Sequence, residues 1–419
     1  MLMTTTILAL ALLTGQADVR GQETKAEVRS LLRQLGDDQL ATREAAEQAL
    51  VKLGPAALDH LPPITDRMSA EVAQRLRRIQ QVLQKAAAEQ SGQARRVTLA
   101  GEMPLSDAFT AIEKQTGNRI LSKDAGAAVV TTDFENVTFW EAVDRLLDQA
   151  GLTVYNYGGE PGAITVVSRA ENEVPRAARA NYQGIFRFES VNLIASRDLR
   201  SPTNSTLRLK MDVSWEPRVK PVSLELALAD IQAVDENNQP LPLDSNRATL
   251  RPSVEGTVPA IELEIPLQLP PRDVQQIASL KGRLSALIPG STEAFEFTQL
   301  ADAKEVEIQK AGATVTLEQV RKNLELYEVR MRVRFDEANN ALESHRGWVY
   351  QNEAYVIDAD GNRVDNFGSQ TTAQKPNEVG MSYLFDFEDG IENYTFVYET
   401  PTIIMKTTVP FELTKIDLP

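Results

Sequence analysis

The chain has 419 residues, 42% apolar and 25% charged, which is typical of a globular protein with about two to four domains. Its formal net charge of −15 makes nucleic acid and anionic membranes unfavourable partners. The sequence contains no cysteine, so disulfides, thiolate metal sites and cysteine nucleophiles are excluded.

The N-terminus has the features of a secretory signal. Residues 7–13 form a short apolar run, and Gly15-Gln16-Ala17 supplies small residues for cleavage. The run is too short to span a bilayer, and no later stretch of the sequence qualifies. We therefore predict a signal peptide over residues 1–22, a periplasmic or secreted location, and no membrane span after the signal is removed.

Residues 23–91 are predicted to form a helical domain. The string "LGDDQLATREAAEQALVKLGPAALDHL" places apolar residues at helical spacing between two breaks, at Gly36 and at Gly54-Pro55. This region, about residues 31–61, is similar to a HEAT-type repeat. Stacked repeats need about three units to bury a continuous core, so one unit predicts a small helical segment rather than a solenoid.

A third helix is predicted over residues 69–90. Its apolar residues are spaced four and three apart, and they are Val72, Leu76, Ile79, Leu83 and Ala86. Such a seam can form a coiled-coil dimer or pack against the two preceding helices. The seam spans barely three heptads, and this favours packing within the chain.

Residues 96–168 are predicted to form a small α+β unit, here called the central domain. Helices are expected over 104–116 and 138–149, each with one apolar stripe and each followed by a glycine, Gly117 or Gly151. The predicted strands cover 97–99, 118–121, 129–134, 152–155 and 164–167, with a turn at Gly101-Glu102. The pattern favours a two-layer sandwich with both helices on one sheet face.

The central domain resembles the secretin and TonB short N-terminal domain, over about residues 96–168. The resemblance is carried by "MPLSDAFTAIEKQTGNRIL" and "VVTTDFENVTFWEAVDRLLDQAGLTVYNYGGEPGAITVVS". It implies a periplasmic module of the kind found ahead of outer-membrane pores and receptors, with a protein partner in the envelope. The rest of the chain is too short for a large receptor barrel, and prolines interrupt its strands.

The remainder is predicted to be β-structure. Residues 169–181 are polar and predict a linker, and period-two apolar patterns follow. "IQAVDENNQPLPLD" and "YVIDADGNRVDNFG" are similar at an offset of roughly 120 residues, about one sandwich in length. We therefore predict two related immunoglobulin-like β-sandwiches, at 182–310 and 311–419.

The sequence has two histidines, His60 and His345, in different predicted domains. A histidine-based triad or metal site would need partners that the sequence does not place nearby. His60 is expected near a helix end, where an imidazole commonly binds carbonyl groups. Neither residue is therefore predicted to be catalytic.

Asp358, Asp360 and Asn362 have the spacing that begins a calcium-binding loop. An EF-hand would require a late glutamate, but Ser369 occupies that position. The alternative is a hairpin turn in which Gly361 supplies a positive φ. The turn is favoured, and calcium binding stays open.

Asp386, Glu388 and Asp389 form an acidic cluster that could suggest a glycosidase pair. The favoured alternative is a solvated strand edge, which such charges protect from aggregation.

Aromatic residues could instead form a sugar-stacking platform. Tyr394 and Tyr398 would share one strand face, as would Trp348 and Tyr350. Core packing is the simpler explanation, and the whole candidate set is Trp215, Trp348, Tyr350, Tyr355, Tyr394 and Tyr398.

Together these patterns predict a non-enzymatic interaction or scaffolding protein of the cell envelope, associated with a secretion or outer-membrane assembly. We nominate no catalytic, cofactor-binding or metal residue, and the sequence leaves the oligomeric state undefined. A sheet edge of the central domain is the expected binding surface, because it can add a partner strand. The alternatives are a glycan-binding or glycan-cleaving sandwich protein and a calcium-dependent adhesion module.

Overall fold

The protein is mostly β-structure, arranged in several sheets, with a small number of helices. The computed structural model describes residues 24–65, 67–122, 128–156, 158–201, 205–254, 256, 258–290, 292–338, 341–342, 347–387 and 390–419. The predicted signal peptide lies outside the described residues. In the ranges given above, no helix is long and apolar enough to cross a membrane.

The N-terminal helices pack on one another. They are α1 (24–34), α2 (Leu40–Lys52) and α3 (Ala70–Ser91). Ile79 and Leu83 of α3 share a buried cluster with Val28 of α1 and Leu50 of α2. The prediction that the third helix packs within the chain is therefore confirmed.

The central domain contains α4 (Leu105–Thr116), α5 (Phe139–Ala150) and five strands. The strands are β1 (Arg96–Pro104), β2 (Arg119–Ser122), β3 (Val129–Thr138), β4 (Leu152–Tyr155) and β5 (Ala163–Ser168). Both predicted helices are confirmed, and their C-terminal glycines, Gly117 and Gly151, have positive φ angles of 73° and 67°. The side chain of Thr138 accepts from the backbone N–H of Glu141, which is the hydrogen bond of a helix N-cap.

Two details of the central domain differ from the prediction. Its strands form two separate sheets, β1–β3 and β2–β5–β4, rather than one. Residues of both sheets and of both helices share one core. The predicted turn at Gly101-Glu102 lies inside β1, because Gly101 adopts a φ of 114° and the strand continues through it.

Two further sheets follow in the chain and share a second core. One sheet has the order β12-β8-β7-β6, and the other contains β9, β10, β11, β13 and β23. Their bounds are β6 (Asn181–Gln183), β7 (Phe186–Arg197), β8 (Ser205–Trp215), β9 (Ser223–Ala227), β10 (Gln232–Asp235), β11 (Thr249–Leu250), β12 (Ala260–Leu267), β13 (Gln276–Pro289) and β23 (Ile404–Asp417).

The last pair of sheets has the orders β14-β22-β18-β19 and β15-β16-β17-β21-β20. Their bounds are β14 (Thr292–Phe297), β15 (Lys304–Lys310), β16 (Ala313–Asn323), β17 (Leu326–Phe335), β18 (Ala354–Ile357), β19 (Arg363–Asp365), β20 (Gly368–Lys375), β21 (Glu378–Phe385) and β22 (Thr395–Pro401). The rings of Tyr383 and Phe385 lie 6.2 and 6.0 Å from that of Phe396, so aromatic contacts join the two sheets.

The chain runs from the first set of sheets into the second and then back again, so the two sets do not follow the predicted boundaries 182–310 and 311–419. The chain leaves β13 to form β14, which pairs with β22. It leaves β22 to form β23, which pairs with β13. One compact unit accordingly contains Ser91–Pro289, Ala338–Asn352 and Ile404–Pro419. The other contains the helices up to Gln90, Gly290–Glu337 and Glu353–Ile403.

Candidate functional site

A buried ion cluster anchors the central domain to the sheet that contains β7. Arg187 of β7 and Asp144 of α5 are each 1% exposed. Nε of Arg187 donates to Oδ2 of Asp144 at 2.6 Å, and the Tyr182 hydroxyl donates to the same oxygen at 2.7 Å. Nη1 of Arg187 lies 2.8 Å from a carboxylate oxygen of Glu189. These contacts fix α5 against β6 and β7.

The electrostatics of this cluster are those of a structural anchor. Burial alone would lower the pKa of Arg187, but Asp144 and Glu189 outweigh it and raise that pKa, so the guanidinium stays charged. Burial raises the pKa of Asp144, and Arg187 opposes the rise. Removing Arg187 would leave the Asp144 carboxylate buried without its ion-pair partner, and removing Asp144 would leave Arg187 with Glu189 as its remaining close carboxylate.

A second buried anchor is formed by Glu216, which is fully buried. Its carboxylate accepts from the backbone N–H of Arg95 at 2.8 Å, from Nδ2 of Asn118 at 3.0 Å and from Nε of Arg218 at 2.7 Å. Burial raises the pKa of Glu216, and these donors partly offset the rise. The anchor holds both the entry to β1 and the segment before β2.

The predicted linker 169–181 is held by Asp148 of α5. The Asp148 carboxylate accepts from the guanidinium of Arg169 and from the backbone N–H groups of Arg176 and Ala177. The segment is therefore attached to the central domain, and the domain and its neighbouring sheets lie in one compact unit.

Two glutamines bind the outer edges of the β1–β3 sheet. The side-chain amide of Gln115 accepts from the N–H of Thr98 at 3.0 Å and donates to its carbonyl at 3.1 Å. Gln149 makes the same pair of bonds with Thr131, both at 3.0 Å. Each amide thus occupies the place that a residue of a neighbouring strand would take.

The two glutamines block their edges to different extents. Because ladder hydrogen bonds alternate along an antiparallel strand, every second residue directs its N–H and C=O outward. On β3, Gln149 binds Thr131 between the outward residues Val129 and Asp133, and the pairing is irregular just beyond Asp133, where Asn136 has a φ of 55°. On β1, Gln115 binds Thr98 near one end, so the next two outward residues, Ala100 and Glu102, stay adjacent.

The stretch from Ala100 to Glu102 is here called the open β1 edge. In the described part of the chain β1 pairs only with β3, and Ala100, Gly101 and Glu102 are all exposed. The other sheet is less accessible, because Glu113 accepts from the N–H of Ile120 in β2 and three of the four residues of β4 are buried. The open β1 edge is therefore the candidate functional site.

The residues of the two buried anchors could not be found from the sequence, because most of their partners are distant in the chain. Asp144 and Arg187 are separated by 43 positions, and Asn118 and Glu216 by 98. One local signal was present, since Gln115-Thr116-Gly117 and Gln149-Ala150-Gly151 end the two helices alike.

The Asp358 loop has the hydrogen bonds of a turn. Oδ1 of Asp358 accepts from the N–H groups of Asp360 and Asn362, and Oδ2 accepts from Nδ2 of Asn362. Gly361 has a φ of 86°. Both carboxylate oxygens are thus engaged inside the turn, and this supports the hairpin interpretation over calcium.

The same turn occurs at Asp235. Its Oδ1 accepts from the N–H groups of Asn237 and Gln239, and Asn238 has a φ of 59°. The two sequence segments that were aligned at roughly 120 residues therefore fold into matching turns.

The remaining polar candidates stay apart. His60 ends a short 3₁₀ helix, Pro55–His60, as predicted for a helix end. His345, Glu388 and Asp389 lie outside the described residues. Asp386 follows β21 rather than lying in a strand. No cluster of three His, Cys, Asp or Glu side chains that could hold a metal ion is found in the described ranges.

Half of the six aromatic candidates belong to the core. Trp215, Tyr394 and Tyr398 are buried. The Tyr355 hydroxyl donates to Glu399 at 2.8 Å, and the guanidinium of Arg363 lies 4.1 Å from its ring. A platform of Tyr394 and Tyr398 is therefore excluded.

Trp348 and Tyr350 lie in a 3₁₀ helix, Gly347–Gln351, rather than in the predicted strand. Trp348 borders a cleft of about 210 Å³, and its indole N–H donates to the carbonyl of Ala341 at 2.6 Å. The other cleft residues include Lys220, Pro221, Glu225, Arg251 and Pro252.

Comparisons of the chain with protein-family models, with curated proteins and with solved structures give no match.

Proposed function

We propose that this protein is a non-enzymatic interaction or scaffolding protein of the cell envelope, and that a partner strand binds the open β1 edge. The observation that carries the proposal is the contrast within the central domain. Its α5 side is fixed by buried ion pairs, and its β1 side presents unpaired backbone groups. A domain held in place with an exposed strand edge suits docking by strand addition.

The resemblance to the secretin and TonB short N-terminal domain gives the setting. It suggests a periplasmic location and a partner in a secretion or outer-membrane assembly. The predicted signal peptide points the same way.

Substitution of Ala100 tests the proposal. Ala100→Pro removes the outward N–H, which the β1–β3 ladder does not use, and Ala100→Val keeps it. Tagged full-length variants would be crosslinked in native cells, purified and analysed by mass spectrometry. We expect Ala100→Val to recover secretion or outer-membrane proteins at the wild-type level and Ala100→Pro to lose them.

The control is the thermal midpoint of each purified variant, which should agree with the wild type within a few degrees. If both folded variants recover the same envelope proteins, the open β1 edge is not the docking site. If neither they nor the wild type recovers any, the protein is not an envelope scaffold.

A second candidate function is glycan binding at the Trp348 cleft. It is favoured by one observation, an aromatic side chain beside the Arg251–Glu225 ion pair at 2.9 Å. Saturable binding to a cell-wall polysaccharide that Trp348→Ala abolishes would support it. Equal binding by the variant would exclude this cleft.

A further inference from the structure

We infer that the strand that binds the open β1 edge is basic, with Lys or Arg at two positions two residues apart. The inference rests on the proposed function and adds the chemistry of the partner. It follows from the side chains that surround the edge.

The exposed face of the β1–β3 sheet is acidic beside the open edge. Leu99 and Met103 pack against the core, so Ala100 and Glu102 project from the opposite face. In β3, Asp133 lies across from Ala100, and Thr131 lies across from Glu102. Glu102 and Asp133 are exposed and take part in none of the ion pairs found among the described residues.

An added strand would place its side chains beside these carboxylates. Neighbouring strands are about 4.8 Å apart, so a residue opposite Glu102 lies within direct cross-strand contact. The residue two positions away would lie opposite Ala100. The Ala100 methyl group is small, and a long basic side chain can pass over it toward Asp133, about 10 Å from the added strand.

A second copy of this chain is a poorer occupant. Its own β1 edge would bring Glu102 against another acidic face, and like charges on neighbouring strands are destabilising. The net charge of −15 also opposes self-association and attracts a basic segment.

The probes are two synthetic twelve-residue peptides built from Thr and Val. One carries Lys at two positions two residues apart, and the other carries Glu there. Binding to the full-length protein would be measured by fluorescence anisotropy at low salt. We expect the Lys peptide to bind at least tenfold more tightly, with an affinity that falls as salt is raised.

Variants of the acidic face sharpen this test. We expect Glu102→Gln with Asp133→Asn to weaken binding of the Lys peptide about five- to tenfold, since each substitution removes one opposite-charge contact with the added strand. Glu171→Gln, an exposed acid outside β1 and β3, should leave it unchanged. Ala100→Pro should abolish it.

The outcomes separate the two ideas. Equal affinity for the Lys and Glu peptides, lost in Ala100→Pro, overturns the basic partner but keeps strand addition at this edge. Binding of the Lys peptide that survives in Ala100→Pro, or no binding of either peptide, contradicts docking at the open β1 edge itself. A wild-type dimer that Ala100→Pro dissociates would assign the edge to a second copy.

Discussion

Helices α4 and α5 are closely matched elements with different roles. Each has twelve residues, ends with Gln-x-Gly and uses that glutamine to bind a strand edge. Two of the positions at which their sequences differ carry the anchoring carboxylates of α5. Where α5 has Asp144 and Asp148, the same turns of α4 have Thr110 and Lys114.

Because of that difference, α5 anchors the central domain to its neighbours, whereas α4 only packs beside the strand that carries the open β1 edge. Asp144 binds Arg187 and Tyr182, and Asp148 binds backbone N–H groups of the 169–181 segment. These contacts attach α5 to β6, β7 and that segment. Thr110 is exposed and bonds only within its own helix, to the carbonyl of Ser106. Beside α4, residues 100–102 of the β1 strand are exposed.

The largest expected effect comes from making α5 like α4. Asp144→Thr would leave Arg187 buried with Glu189 as its remaining close carboxylate, and we expect a loss of about 3–5 kcal/mol in the free energy of unfolding. Urea unfolding followed by circular dichroism would measure it. The reciprocal change Thr110→Asp should stay within about 0.5 kcal/mol of the wild type. Similar small values for both would show that the Arg187 cluster is not an anchor.

The next largest effect is expected from substitution of Gly101, which lies in the strand that carries the open β1 edge. Its φ of 114° is costly for any residue with a Cβ. We expect Gly101→Ala to lower the free energy of unfolding by about 1–2 kcal/mol through backbone strain alone, because an added Cβ meets no atom within 4 Å. A value near zero in the same unfolding assay would mean that β1 relaxes to an ordinary strand.

The attachment of the central domain should also depend on pH. Burial raises the pKa of Asp212 on β8, and the hydrogen bond from Asn156 at 2.9 Å offsets part of the rise. A carboxyl with a higher pKa in the folded chain binds protons more tightly there, so its ionisation lowers stability as pH rises through that pKa. Below the unfolded-state pKa, ordinarily about 3.9, the penalty is absent.

Asp212→Asn removes this penalty. The variant should therefore gain stability relative to the wild type as the pH is raised from about 4 to about 8, as measured by urea midpoints. A stability difference between variant and wild type that stays constant across that range, or that turns against the variant at high pH, would contradict a raised pKa of Asp212.

The smallest effect is expected from substitution of the two glutamines that bind the edges of the β1–β3 sheet. Gln115→Ala should accelerate amide hydrogen exchange at Thr98, and Gln149→Ala should do the same at Thr131, each with a cost of about 1 kcal/mol or less. Only Gln115→Ala lengthens the open β1 edge toward Thr98, so it alone should tighten binding of the Lys peptide. Equal tightening by both variants would show that β3 offers an equivalent site.

Local patterns predicted the central domain well, because capping and apolar spacing act over a few residues. The helix ends at Gly117 and Gly151 and the strand Leu152–Tyr155 follow from such signals. The prediction of a turn at Gly101 was wrong because it also rested on a local pattern alone. Glycine also permits the unusual φ of a continuous strand, and the sequence does not separate the two uses.

Long-range features of the site could not be predicted. Arg187 and Glu216 are ordinary charged residues in the sequence, and only the fold places Asp144 and Asn118 beside them. The partner of β23 was equally hidden, because its alternating pattern fits any sheet with one buried face. The open β1 edge could not be predicted either, because the sequence does not show that Gln115 binds Thr98 and leaves Ala100 and Glu102 free of that contact.

The pairing of β13 with β23 imposes an order on biosynthesis. The strand β13 is made before the run from β14 to β22, and its full-length partner β23 is made only after that run. Until then β13 lacks its longest neighbour, and its core stays incomplete. Pairing so distant in sequence folds slowly, so the core that contains β13 stays incomplete while residues 290–403 are synthesised. A chain in that condition is a suitable substrate for chaperones, and also for any transport machinery that accepts only unfolded polypeptide.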